Sequence, residues 1–182
     1  MTPWPGHVQG VAELAGLAYV LAMAMDTPAP ETVRDYPRPP RIEPVSRRLR
    51  IVFADQIIAE TRAALRVLET HHPPTYYLPV TAFHPGVLQS APGSSFCEWK
   101  GHSRYWSIAA GGRIAHQAAW DYPAPTPAFA ALRDHVAVYA GKMDACFLGE
   151  ERVRPQPGGF YGGWITDDLV GPFKGEPGTA FW

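Results

Sequence analysis

Apolar and polar residues alternate along most of this chain in short runs, the pattern of many short strands. "RRLRIVF" (47–53) and "QIIAE" (56–60) predict two strands joined at Ala54-Asp55. Neither turn residue is glycine, so a primed turn would force Ala54 to positive φ at an energetic cost, which favours a longer or bulged connection. "ALRVLET" (64–70), "TYYLPV" (75–80), "RYWSIAA" (104–110), "RIAHQAAWDY" (113–122), "HVAVYAGKM" (135–143) and "ACFLG" (145–149) continue the pattern, with "HHPP" and "GG" as turns. The expected fold is mainly β and antiparallel. "PAFAALRDH" (127–135) predicts one short helix of two or three turns, with Thr126 as its cap and Pro127 in the first turn.

Gly111-Gly112 is a strong two-residue turn, and it sets a register for residues 104–122. Ala110 then faces Arg113, Ser107 faces His116, Tyr105 faces Ala118 and Ser103 faces Trp120. Tyr105 and Trp120 become diagonal neighbours on one face, which Tyr122 extends. The other face receives Trp106, Arg104 and His102, with His102 across from Asp121. A one-residue bulge would exchange the two faces.

Ahead of these strands lies "VAELAGLAYVLAMAM" (11–25), the one long apolar run. Glu13 interrupts it and it is too short to span a bilayer, so a helical extension is expected, with an exported leader as the minor alternative. The prolines of "DTPAPETVRDYPRPPRIEP" (26–44) predict an extended linker, so the chain divides into residues 1–44, extension and linker, and a β domain over 45–182.

Sixteen basic side chains nearly cancel seventeen acidic ones, which leaves no field for a nucleic-acid backbone or an anionic membrane. Cys97 and Cys146 are the only cysteines and form no CxxC pair, so a reducing cytoplasm is expected, with no metal and no cofactor. A homo-oligomer is left open.

The chemistry-bearing residues concentrate in "FCEWKGHSRYW" (96–106). Tyr105, Trp120 and Tyr122 can form a wall around a planar or cationic small molecule. Taken singly, such rings more often fill a β core. Lys100 and Lys174, each in an aromatic-Lys-Gly triplet, can hold an anion, although solvated lysines at turn ends account for them as well. Glu69, late in an apolar strand, needs a partner if it points inward, as does Arg62. Cys97 is the candidate nucleophile if Lys100 or His102 lowers its pKa; a buried small hydrophobe is the commoner fate of a lone cysteine. Asp167-Asp168 follows "GGWIT" at a turn and reads as structural.

The ordered set "AETRAALRVLETHHPPTYYLP", "CEWKGHSRYWS", "GGRIAHQAAWDYPAP", "GGFYGGW" and "GPFKGEPGTAFW" resembles the bacterial family DUF427, also labelled nucleotidyltransferase-like, over residues 35–182. The resemblance implies a small β-tent-like domain in which two antiparallel sheets lean together over a groove. Glu69, Tyr77, Cys97, Lys100, Tyr105, Trp120, Tyr122, Trp164 and Lys174 match the family pattern, which adds Tyr77 and Trp164 to the ligand-binding candidates. Where this chain has Ala54-Asp55 the family has glycines, and where it has Glu98 the family has proline. The transferase label finds no metal-binding carboxylates and no phosphate-cradling loop here. The leading expectation is a domain that binds a small molecule in an aromatic-lined groove. A Cys97-dependent hydrolase or transferase is the alternative, and a structural or protein-interaction module a further one.

Overall fold

A computed structural model describes residues 29–179, so the apolar run 11–25 lies outside the described residues. The strands in chain order are β1 (Glu31–Thr32), β2 (Arg41–Val45), β3 (Leu49–Phe53), β4 (Gln56–Thr61), β5 (Ala64–Leu68), β6 (Thr75–Pro79), β7 (Leu88–Ala91), β8 (Phe96–Cys97) and β9 (Gly101–His102). They continue with β10 (Arg104–Ala110), β11 (Arg113–Asp121), β12 (His135–Val138), β13 (Ala145–Leu148), β14 (Glu151–Arg152), β15 (Arg154–Pro155), β16 (Trp164–Ile165) and β17 (Leu169–Val170). Seven of them form an antiparallel sheet in the order β2-β5-β6-β12-β11-β10-β7, and four form a second sheet, β14-β13-β3-β4. The fold is mainly β, as the alternation predicts.

The seven-stranded sheet is buried on both faces at its centre. Tyr76, Leu78, Val136 and Val138 point to one side and meet Leu49, Ile51, Phe53, Cys146 and Leu148 of the smaller sheet in the main core. The intervening residues Tyr77 and Ala137 point to the other side, where Val67, Trp120, Tyr122, Phe129 and Leu132 make a second cluster. This follows from the two-residue period of a strand, and it explains why β6 and β12 read as near-continuous apolar runs.

From Glu31 onward the proline-rich stretch pairs into the sheets rather than running as a linker. Arg41–Val45 pairs with β5 as an edge strand, where Pro44 withholds no hydrogen bond needed by a further strand. Glu31–Thr32 pairs in parallel with β17. Arg66 ties both segments down: its guanidinium donates to Glu31 at 2.9 Å and to Glu43 at 2.8 Å. Tyr36 donates to Glu31 at 2.6 Å.

The Ala54-Asp55 connection combines both options. It is a two-residue turn with positive φ at Ala54 (52°) and Asp55 (57°), and a bulge displaces the register near Ile51 and Val52. Where the sequence predicts one short helix, Pro127–Leu132 is a 3₁₀ helix with a non-helical break at Phe129. Thr126 does not cap it; its hydroxyl donates to the carbonyl of Trp99 at 2.6 Å.

In the 104–122 hairpin, Ala110 faces Arg113 as predicted, but the register shifts by two places between Ile108↔Ala115 and Trp106↔Ala119. Gln117, at φ 47°, lies in the residues that absorb the shift. Tyr105 therefore stands directly opposite Trp120, and Asp121 faces Arg104 rather than His102. An even shift leaves the two faces as predicted, so Tyr105, Trp120 and Tyr122 still share one side. Among the described residues no helix is long and apolar enough to cross a membrane.

Candidate functional site

The stretch from Phe96 to His102 folds as a small ribbon, β8 against β9, with Glu98, Trp99 and Lys100 in its turn. Gly101 permits the reversal with φ +94°. The Thr126 hydroxyl and backbone N–H donate to the carbonyls of Trp99 and Lys100, and Ser103 N–H donates to Ser95 at 2.8 Å. The ribbon is thereby pinned over the second face of the large sheet.

Between ribbon and sheet lies a cavity of about 440 Å³. Its aromatic wall comes from Tyr105 on β10, Trp120 and Tyr122 on and just after β11, Tyr77 on β6, and Tyr139. Trp120 packs 4.5 Å from the Tyr139 ring and 6.3 Å, edge on, from Tyr77. Gly162 lies so close to Trp120 that a Cβ there would sit 2.0 Å from the indole. Burial pushes the Tyr77 and Tyr122 phenols well above their ordinary range and Tyr139 up to about 12, so all three stay neutral in physiological conditions.

The charged lining is uneven. Arg38 is answered by Glu98 at 3.1 Å and Glu69 at 3.8 Å. Lys100 is only 8% exposed, yet among the described residues its ammonium has no hydrogen bond and no ion pair. It sits 5.9 Å from the Tyr122 ring centre and 5.7 Å from that of Phe129, near the outer limit of a cation–π contact. Lys174 likewise has an aromatic neighbour, Tyr161 at 5.4 Å, and no carboxylate partner among the described residues.

His72 completes the polar lining. Burial, and then the positive charges of Lys174, Lys100 and Arg38, lower its pKa to about 4, so the ring is neutral. Gln156, itself buried, donates to His72 Nδ1 at 3.1 Å and to the Lys174 carbonyl at 2.9 Å, and accepts from Gly163 N–H. One buried amide thus holds the histidine, the lysine segment and the glycine loop in a fixed relation. Cys97 lines the cavity and is partly exposed; Cys146 is buried in the main core, which raises its thiol pKa.

Of the residues singled out from sequence, Glu69, Tyr77, Cys97, Lys100, Tyr105, Trp120, Tyr122 and Lys174 come together around this one space. Trp164 does not. It is fully buried between the sheets, 5.2 Å from Tyr76, with its indole N–H donating to Val138 at 3.0 Å. Its place in the pattern reflects the core. Asp168 accepts from Thr166 and Arg47, in keeping with a structural turn, while Arg62 is exposed. Sequence reasoning missed Arg38, His72, Tyr139, Gln156, Tyr161 and Gly162. "HHPP" registered only as a turn, and the paired glycines of "GGFYGGW" were the available signal that backbone passes close to something bulky.

No cluster of three potential metal ligands occurs among the described residues. A family model described as a domain of unknown function, DUF427, matches residues 41–149. The chain belongs to this family. The matched segment carries Glu69, His72, Tyr77, Cys97, Lys100, Tyr105, Trp120, Tyr122 and Tyr139, whereas Arg38, Tyr161, Gly162 and Lys174 lie outside it. A search of curated proteins finds no match to the chain.

Proposed function

We propose that the protein is a binding domain for a small organic molecule, held in the cavity between the β8–β9 ribbon and the large sheet. What supports this is one combination: neutral aromatic side chains and a lysine ammonium without a hydrogen-bond or ion-pair partner among the described residues converge on a space of about 440 Å³, within the usual size of small-molecule sites. A core alone would need neither the space nor the charge. Two exposed phenylalanines at the rim, Phe96 and Phe160, offer apolar area to cover a guest. The two free thiols fit a cytoplasmic setting.

The test is a thermal-shift and calorimetric screen against a metabolite library. At least one compound should bind, and Tyr105→Leu, at a partly exposed wall position, should weaken it. Trp120→Ala is a poor test, because removing a side chain this buried costs about 3–5 kcal/mol of stability. Trp120→Phe keeps the packing and changes the wall. A library without a binder, or binders indifferent to both variants, would refute the proposal.

A second reading, a Cys97-dependent hydrolase or transferase, is favoured by one observation: Cys97 lines the same cavity and is partly exposed. Iodoacetamide near neutral pH should then label Cys97 in the native protein and spare Cys146. A Cys97 thiol that reacts only after unfolding would end that reading.

A further inference from the structure

Aromatic rings around a cavity attract cations through their negative faces, so the wall alone favours a positively charged guest. The charges beside it reverse that preference. Lys100 is more than nine-tenths buried and has neither a hydrogen bond nor a carboxylate within reach among the described residues. Its ammonium carries three donors that no protein group among the described residues accepts, and because the nitrogen keeps accessible surface in the cavity, those donors are open to solvent or to a guest. Two ring faces at nearly 6 Å satisfy the ammonium only weakly. Lys174, which also has no carboxylate partner among the described residues, lines the same space.

The size of the missing charge can also be read. Glu98 and Glu69 line the cavity and answer Arg38, which leaves the two lysines as the free positive groups. A dianion would hold its second charge against those two carboxylates. Among the described residues that line the cavity, no free arginine fork can grip a phosphate in two places, since Arg38 is already engaged. We infer that the guest is an organic monoanion, its carboxylate held by Lys100 and Lys174 and its planar, unsaturated body laid against Trp120 and Tyr105. This rests on the small-molecule-binding proposal and names the ligand class for the same site. The neutrality of His72 agrees with it: with Nδ1 accepting from Gln156, the uncharged ring carries its proton on Nε2, a donor suited to an anionic guest.

The experiment is isothermal titration calorimetry of the full chain with a matched set, 2-naphthoate, 2-naphthamide and 2-naphthyl phosphate, run beside the metabolite screen. The naphthoate should bind about 10- to 100-fold more tightly than the amide, the difference a charge-assisted hydrogen bond supplies. Lys100→Met should abolish that preference, and Lys174→Met, at a more exposed position, should reduce it; near-UV circular dichroism checks that both variants are folded. Anionic hits from the metabolite screen that lose affinity in Lys100→Met would support the same conclusion. Amide binding equal to or tighter than the acid, naphthyl phosphate binding tighter than naphthoate, or a screen yielding only neutral or cationic ligands would overturn the monoanion assignment while leaving small-molecule binding intact. Absence of any binder in both experiments would remove both.

Discussion

Gly162→Ala isolates the contact that shapes the cavity. A Cβ at this position would lie 2.0, 2.7 and 3.2 Å from three carbon atoms of the Trp120 six-membered ring. Comfortable carbon–carbon contact is about 3.5–4.0 Å, so the ring would have to retreat by more than 1 Å, roughly. It has little room to do so, with Tyr139 at 4.5 Å and Tyr77 at 6.3 Å between ring centres. Overpacking of this kind costs about 1–3 kcal/mol, and the boxed-in ring puts this case at the upper end. Against it stands the entropic benefit of replacing glycine by alanine, about 0.4–1 kcal/mol where the backbone is unstrained. The clash wins by about 2 kcal/mol, a fall in Tm of about 4–8 °C for a chain of this size. Differential scanning calorimetry measures it, and tryptophan emission reports the displaced indole. A Tm unchanged or raised, with an unaltered emission spectrum, would show that the loop and the indole are not in contact and that the cavity wall is misassigned.

Three further outcomes are expected. Lys100→Met should leave stability within about 1 kcal/mol, because the ammonium keeps accessible surface in the cavity and gives up only two long cation–π contacts; a loss of several kcal/mol in urea titration would mean that the charge is matched inside the fold. For His72, the native pKa of about 4 lies below the unfolded value of about 6.5, so the unfolded chain takes up a proton that the folded one excludes. Stability therefore falls as pH drops from about 6.5 towards about 4, by up to about 3 kcal/mol, and His72→Asn should flatten that part of the urea-denaturation profile; an identical profile in the variant would refute it. Ala54→Gly should add about 0.5–1 kcal/mol, since positive φ costs alanine about 1–2 kcal/mol and glycine's extra chain entropy offsets only part of that gain, which equilibrium unfolding would detect.

The strands were legible because alternation and turn residues act locally. The hairpin register near its turn was legible too, since Gly111-Gly112 admits few geometries. The two-place slip beyond Ile108 was not, because it depends on how Gln117 and its neighbours sit against the rest of the sheet. It left the site intact only because an even shift conserves the faces. The proline-rich segment looked like a linker for a sound local reason, and what recruits it is the pairing of β2 with β5 together with Arg66 reaching Glu31 and Glu43 from a distant part of the chain. At the cavity, residues with distinctive chemistry were found by type: Cys97, Lys100, Trp120, Lys174. Those that act by position, such as Gln156 and Gly162, have no signature short of the fold itself. Trp164 shows the converse error, a ring that resembles its neighbours in sequence and serves only the interior.

Because the central strands bury both sides, adjacent residues answer to different demands. Tyr76 seats the two sheets together, while Tyr77, next in the chain, borders the cavity. Replacements at odd and even places along β6 and β12 should therefore separate into two phenotypes, one thermal and one concerned with which molecules are admitted. Ligand preference could then drift over evolutionary time while the scaffold's melting behaviour stayed nearly fixed.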